Sequence, residues 1–383
     1  MRCGIEFEYL LIDSAGAVPG RIRDFGNLDF AEIDAQLDDR PGLDDPELAV
    51  GDLGIKRGYW YLEGDERFFA ADASEMESCR RRFRTLAIKG VEIRTPPADG
   101  VRGALDRLRV IEARLAERLH EHGLGLAIVA ANPLRADYRF SPPLNAWEIE
   151  LRRRHRACDA AHISNLTYGP DINLSMPDWT AEQALDATRK LNFYAPYLVP
   201  FSFCSPFHAG AHWPGFSWRT FHRAPLRPAV KLFLAGDALA TLAAHSRLVH
   251  PARLPSENGR IEFKAFDAQP APENLAACCH LLHGVCLANA LHGRGEGCDV
   301  EVYRRAARLG FHDAVVHSTS GEVLKRATDA LSRAGETEGV EALESLAAIH
   351  TERRTPADDL LESWRRGGPM YAAGGLYDFF ISS

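Results

Sequence analysis

The sequence predicts an α+β protein in which one sheet lines a cleft with its polar face and carries helices on its other face. Three observations support this. Four segments alternate apolar and polar residues with the period of two expected of a half-buried strand. Their polar positions hold mainly carboxylates, with a few cations and an amide, instead of the Ser, Thr and Lys mixture of a merely solvated face. From about residue 272 the chain then reads as mostly helical. No repeat, low-complexity tract or linker divides the 383 residues, so we expect a single catalytic domain, 1–383, with that helical part at its C-terminal end.

Taken in order, GIEFEYLLID (residues 4–13) is the first strand. Ile5, Phe7 and Tyr9 alternate with Glu6 and Glu8, and the run into Leu10, Leu11 and Ile12 marks an interior strand. Two glutamates on one interior face lie about 7 Å apart at Cα. Unpaired, each raises the other's pKa, so they need cations. Residues 14–21 are turn-rich, and residues 27–51 are loop with one short helix near 30–37. In GYWYLEGDERFF (58–69), Gly64-Asp65 between aromatic runs signals a hairpin. Residues 74–86 form a basic helix in which Arg80, Arg81, Arg82 and Arg84 read as a solvated face.

KGVEIRTPP (89–97) is the second strand, with Val91 and Ile93 on one face and Glu92 and Arg94 on the other. An amphipathic helix follows over 101–122, with Leu105, Leu108, Ile111, Leu115 and Leu119 on one side and Gly123 as its cap. Residues 125–133 are a short apolar strand, and 144–157 a further helix. TYGPDINLSMPDW (167–179) is the third informative strand, in which Asp171, Asn173 and Ser175 share a face. A helix opens at Thr180 and runs to about 202, where Pro196 and Pro200 kink it or end it early. Residues 205–223 read as an irregular loop and 228–246 as helix. GRIEFKAFDAQP (259–270) is the fourth strand, with Glu262 and Lys264 alternating with Ile261 and Phe263.

Gathered on one sheet face, these side chains place three or four carboxylates around a cleft. Hard divalent cations with oxygen ligands satisfy such a set. Arg94 and Lys264 then face phosphate oxygens or a substrate carboxylate. Magnesium beside cationic side chains points to phosphoryl chemistry. Neither G-x-x-x-x-G-K-[ST] nor G-x-G-x-x-G occurs, so nucleotide binding rests on metal and phosphates.

The segments GIEFEYLLID, VEIRTPP, YGPDINLSMPDW, SPFHAG followed by FSWRTF, and EFKAFDAQP resemble, in order and spacing, the carboxylate-amine ligase family, also called glutamate–cysteine ligase family 2. The resemblance spans roughly residues 3–290. It implies a glutamine-synthetase-like fold, a largely antiparallel curved sheet with a carboxylate-lined concave face. It also implies ATP-dependent joining of a carboxylate, typically the γ-carboxyl of glutamate, to an amine through an acyl phosphate. By motif position, Glu6, Glu8, Glu92 and Glu262 become magnesium ligands. Lys264 takes the place of a phosphate-contacting arginine, and Arg219 and Arg223 lie in the loop that contacts substrate or phosphate. Arg94 and Asn173 join Arg223 on the nucleotide side, and Asp171 is a candidate base for the amine. Two positions depart from the pattern: Asp171 stands where the family usually presents histidine, and Lys264 where it presents arginine. A ligase-like fold kept for binding is therefore one alternative. A carboxylate-pair hydrolase is another, although two glutamates on one strand do not flank a scissile bond.

The formal net charge of -8 argues against nucleic acid or an anionic membrane as main partner, leaving small-molecule acid and amine substrates. No apolar run approaches the ~20 residues of a membrane span. The N-terminus has no signal-type segment, and the eight cysteines form no C-x-x-C pair; reduced thiols and a cytoplasmic location are expected. Cys278 and Cys279 read as a packing pair, and His162, His208, His212 and His222 as hydrogen-bonded loop residues. The edge of the expected hairpin, 59–69, makes a homodimer the oligomer to look for.

Overall fold

The computed structural model describes residues 1–37, 58–67, 85–139, 143–154, 161–297 and 299–377. In chain order the elements are β1 (Arg2–Asp13), β2 (Ile22–Arg23), α1 (Phe30–Gln36), β3 (Trp60–Arg67), β4 (Thr85–Arg94), β5 (Ala98–Asp99), α2 (Gly100–Glu121), β6 (Leu124–Ile128), α3 (Ala146–Arg154), α4 (Ala161–Ser164), β7 (Pro170–Ser175) and α5 (Ala181–Leu198). They continue as β8 (Phe207–His208), β9 (Ala211–His212), α6 (Trp218–Arg223), β10 (Val230–Leu234), α7 (Gly236–Leu242), β11 (Val249–Pro251), β12 (Arg260–Phe263), α8 (Pro272–Leu287), α9 (Val300–Leu309), α10 (Ala314–Ala334), α11 (Thr337–Glu352), α12 (Pro356–Arg365) and β13 (Ala372–Ala373).

The main sheet runs β11-β10-β12-β7-β1-β4-β3, with β1 central and β2, β5 and β6 also pairing with it. It is curled into a half-barrel. Every ladder is antiparallel except β10 with β11. One face is apolar: Ile5, Phe7, Tyr9, Val91, Ile93, Ile172, Leu174, Ile261 and Phe263 are buried. Helix α2 packs on β1, β4 and β6, and α5 on β10 and β12. Helix α8 packs on both helices and on α10 and α11, so the core runs from the sheet into the C-terminal helices. Burial is the main support here, since each fully buried large side chain contributes about 1.5–3 kcal/mol. Local signals set the helix ends: Thr180 caps α5 in a capping box with Gln183, and the chain tightens into a 3-10 turn at Val199–Ser202.

Three expectations change. Gly64-Asp65 is no hairpin turn, because β3 continues through it with a register shift between Glu63 and Gly64. A Cβ on Gly64 would lie 2.1 Å from the Ala87 carbonyl oxygen, so glycine is there for close approach to β4. Residues 228–246 are not one helix: Val230, Leu232 and Leu234 alternate as buried positions of β10, and only Gly236–Leu242 is helical. The loop 205–223 contains the β8–β9 hairpin and α6. The expected basic helix at 74–86 lies largely outside the described residues, although Thr85 and Leu86 already belong to β4. No helix among the described residues is long and apolar enough to cross a membrane.

Candidate active site

Register puts the polar residues in rows across one face. Glu6 of β1 stands opposite Asp171 of β7 and Arg94 of β4, and Glu8 opposite Glu92. Asn173 stands opposite both Gly4 and Glu262, and Glu262 opposite Lys231 of β10. Tyr61 and Glu63 of β3 extend the face beyond β4. Because side chains alternate, each strand needs only correct parity to deliver its carboxylates here.

Two groups of carboxylates converge. Glu6, Glu92 and Asp171 place ligand-type oxygens within 4.8 Å of one another, and so do Glu8, Glu63 and Glu92. The buried Glu92 belongs to both. Glu63 is an addition to the sequence expectation; it was hidden because the run around Gly64 reads as a turn. Glu262 joins neither group. Its Oε1 is 3.3 Å from Arg260 and 3.4 Å from Lys264, and its Oε2, 3.7 Å from Lys231, is buried without a hydrogen-bond partner.

Much of the negative charge is met by the protein's own cations. Lys89 Nζ donates to Glu8 Oε1 at 2.6 Å and is fixed by the carbonyls of Thr167 (2.8 Å) and Ser164 (3.3 Å). The other oxygen of Glu8 accepts the Gly169 N–H at 2.8 Å. Asn173 Nδ2 donates to Glu6 Oε1 at 3.1 Å and its Oδ1 accepts from Arg260 at 2.7 Å. Lys264 Nζ is ion-paired with Asp171. Burial alone would raise the Asp171 carboxyl, but Lys264, Arg223 and Arg227 outweigh it and hold the group well below the usual carboxylate range. Burial likewise opposes ionisation of Glu262, yet Lys264 and Lys231 bring its pKa down. On Lys231, burial and the neighbouring Lys264 push the ammonium down to about 8.

The arginines divide by task. Arg94 lies at the rim, donating to Gly58 O at 2.9 Å and sitting 5.6 Å from the Tyr61 ring centre. Arg219 is buried, and its guanidinium donates to the main-chain carbonyls of Ala265 (2.9 Å) and Lys264 (3.1 Å), with Asp267 at 3.5 Å. Arg223 also donates to the Lys264 carbonyl. Both therefore position the segment that follows β12. Gly169 permits this, since a Cβ there would lie 2.3 Å from Arg219 Nη2. A small cavity of about 20 Å³ is lined by Arg219, Arg223, Arg227 and Lys264. A second, about 120 Å³, is lined by residues that include Glu6, Arg94, Asn173 and Arg260. The larger cavity of about 560 Å³, between Arg21, Arg135 and Trp364, contains none of the expected site residues. Converging charge, not volume, marks the candidate site. Sequence parity would have found Arg260, which shares a face with Glu262 on the same strand. Lys89 and Arg227 carry no such signal.

No protein-family model matches this sequence, and no curated protein sequence matches it. The chain superposes on a bifunctional glutathione synthetase from Pasteurella multocida with a TM-score of 0.57 at 13% identity, over 96% of this chain and 50% of that one. It thus spans about half the length of that protein. Weaker superpositions are those on the complex between the prokaryotic ubiquitin-like protein Pup and its ligase PafA (TM-score 0.46, 11% identity, 94% of this chain and 65% of that one) and on a glutamine synthase homolog (0.35, 13%, 91% and 70%). At these identities the likeness concerns the fold.

Proposed function

We propose that this protein is a Mg-ATP-dependent ligase that joins a carboxylate, such as the γ-carboxyl of glutamate, to an amine through an acyl phosphate. The observation that carries this reading is the pair of carboxylate groups sharing Glu92 beside a cationic wall of Lys264, Arg223 and Arg227. Oxygen-only donors suit magnesium, and Glu262 Oε2, buried without a hydrogen bond and with Lys231 at 3.7 Å, is a further oxygen donor on this face. Glu6, Glu8, Glu63, Glu92 and Asp171 would hold the metal, with Glu262 as the expected additional ligand. When bound, magnesium screens the phosphate charge that otherwise repels an attacking carboxylate.

The chain's own residues supply the remaining requirements. The substrate carboxylate oxygen attacks the γ-phosphorus and ADP leaves; the neutral amine nitrogen then attacks the acyl carbon, the C–O bond to phosphate breaks, and the departing phosphate takes the proton that the nitrogen loses as the amide forms. Cations beside Asp171 stabilise charge on the group in transfer. Arg219 and Arg223 fix the Lys264 backbone, so that ammonium is aimed before substrate arrives. Asp171, paired and strongly acidified, is a poor proton acceptor. We therefore do not assign it to removing the proton of the amine. The Asp171–Lys264 pair also favours a second reading, a ligase-like protein that binds nucleotide without turning it over.

The deciding experiment is a magnesium–ATP assay for ADP and phosphate release over amino acids crossed with amines. Release with at least one pair, lost in Glu6→Gln and in Glu262→Gln, is the expected result. Full activity in both variants overturns the metal assignment. Nucleotide-dependent thermal stabilisation with no release from any pair selects the binding reading.

A further inference from the structure

We propose that the cavity of about 560 Å³ between Arg21, Arg135 and Trp364 is a binding site for an apolar acid, a molecule with an aromatic or alkyl body and one anionic group. The cavity shares no residue with the carboxylate groups of the concave face, and the proposal does not rest on the ligase reading.

Its walls are tied to one another. Residues 18–27, 133–135 and 364–371 supply them. The first two segments meet at Asp24, which is fully buried and accepts from Asn132 Nδ2 and Arg135 Nε, both at 2.8 Å. The first and third meet where the Tyr371 hydroxyl donates to the Gly20 carbonyl. Gly20 has a φ of +80°, and a Cβ there would lie 2.9 Å from that hydroxyl, so the contact needs glycine. A pocket fixed in this way binds without first being ordered. Its volume falls within the roughly 300–1,000 Å³ of small-molecule sites.

The class of ligand follows from what the lining still has to offer. Most of its acceptors are taken. Asp24 Oδ1 accepts from the Gly26 N–H and Arg135 Nη2, and Oδ2 from Asn132 and Arg135 Nε. The Asn27 side chain is committed to the Ile22 carbonyl and the Asp24 N–H. The carbonyls of Val18, Gly20, Arg21, Asp24, Asn27 and Pro133 each accept from within the protein. Donors remain. Arg135 directs Nε and Nη2 to Asp24, and its Nη1 makes no hydrogen bond among the described residues. The Arg21 guanidinium makes none there either: Asp13, 3.7 Å away, is already paired with Arg23 at 2.7 Å. Arg21, Arg23 and Arg135 thus outnumber the carboxylates they face, Asp13 and Asp24. The rest of the lining includes Ile22, Leu134, Trp364 and Met370, and the exposed Val18 and Leu134 carry apolar surface to the mouth. Free guanidinium N–H groups beside an apolar wall match an anion on an apolar body. A cation meets like charge there, and a polyhydroxyl ligand finds few acceptors for its protons.

The test uses 8-anilinonaphthalene-1-sulfonate, an apolar monoanion whose fluorescence rises on binding, titrated into the nucleotide-free full chain. One saturable site per chain is expected. Arg21→Gln removes a charge partner and Leu134→Asp places a like charge at the mouth, both at solvent-accessible positions; each should weaken binding about five-fold or more. Arg326→Gln makes the same charge change on α10, away from the cavity, and should leave the affinity unaltered. N-phenyl-1-naphthylamine, the same ring system without the sulfonate, should bind about ten-fold more weakly or worse. Absence of a saturable site, an affinity unchanged in both Arg21→Gln and Leu134→Asp, or an equal loss in Arg326→Gln overturns the proposal. Equal affinity for the uncharged amine overturns it as well, since the site would then select apolar surface alone.

Discussion

The two faces of the sheet bury ionisable groups by opposite means. On the concave face the groups keep their charges and find partners: Lys89 with Glu8, Lys264 with Asp171 and Glu262, Arg260 with Glu257. Behind the sheet, ionisable groups are pushed toward their neutral forms. Burial lowers the pKa of His280 and brings that of His283 down to about 4, with the N-terminus and His280 adding to the latter. It raises the Cys278 thiol and pushes that of Cys286 up to about 12. The buried Lys190 is lowered as well, although it donates to the carbonyls of Cys286 and Ala288 at the end of α8. The buried Glu112 accepts from the Tyr9 hydroxyl and from the Leu376 and Tyr377 N–H groups. The contrast shows what a binding surface needs. A charged ligand, as the proposed function requires, needs charges to meet it, and the concave face retains them in pairs. On the packing face, proton loss or gain costs less than an unpaired charge.

The sharpest test of the concave face is Glu92→Gln, which removes the carboxylate common to both groups. ATP turnover should fall roughly 10³-fold, since metal contributes several kcal/mol of charge stabilisation and each 1.4 kcal/mol is tenfold. Steady-state ADP release checks this, and near-unchanged turnover would remove the shared site. Next is Asp267→Ala. It leaves the buried Arg219 charge with main-chain carbonyls but no carboxylate and frees the Cys204 N–H and the Ser205 hydroxyl, so urea unfolding should show a loss of about 3–5 kcal/mol. A loss under 1 kcal/mol would mean that Arg219 relaxes into other partners.

The neutral face is tested by acid. His283 folds with its pKa near 4 and unfolds with the ordinary value, so the unfolded chain binds more protons between about 4 and 6.5. Stability should be lost as pH falls through that window, and His283→Leu should make that acid limb shallower by up to roughly 3 kcal/mol. Identical limbs in the two proteins would show that His283 finds a partner when charged. The smallest effect is Lys190→Met, which removes the donor from the last carbonyls of α8 and should cost about 2 kcal/mol by the same urea measurement. A stabilised variant would show that burying the ammonium outweighs its two bonds.

The legible parts of the site are those that parity delivers. Glu6, Glu8, Glu92, Asp171, Asn173 and Glu262 lie on strands whose apolar partners alternate without interruption, so one face could be read for each. Glu63 was lost at Gly64, where a glycine needed for close approach to Ala87 reads as a turn. The strand at Val230 was lost because its five residues run into a short helix, and the pattern blurs over that length. Arg219 could be noticed but not assigned, since its partners are main-chain carbonyls 45 and 46 residues away.

By itself, then, the sequence determined the alternation of each strand, the amphipathic faces of the long helices and the sign of charge on the sheet's polar face, because these depend on neighbours two to four positions away. Tertiary structure decided which carboxylates converge, that Glu92 is shared, and that Lys264 bridges Asp171 and Glu262. Those relations depend on strand order and register between strands distant in the chain, and no local period encodes them.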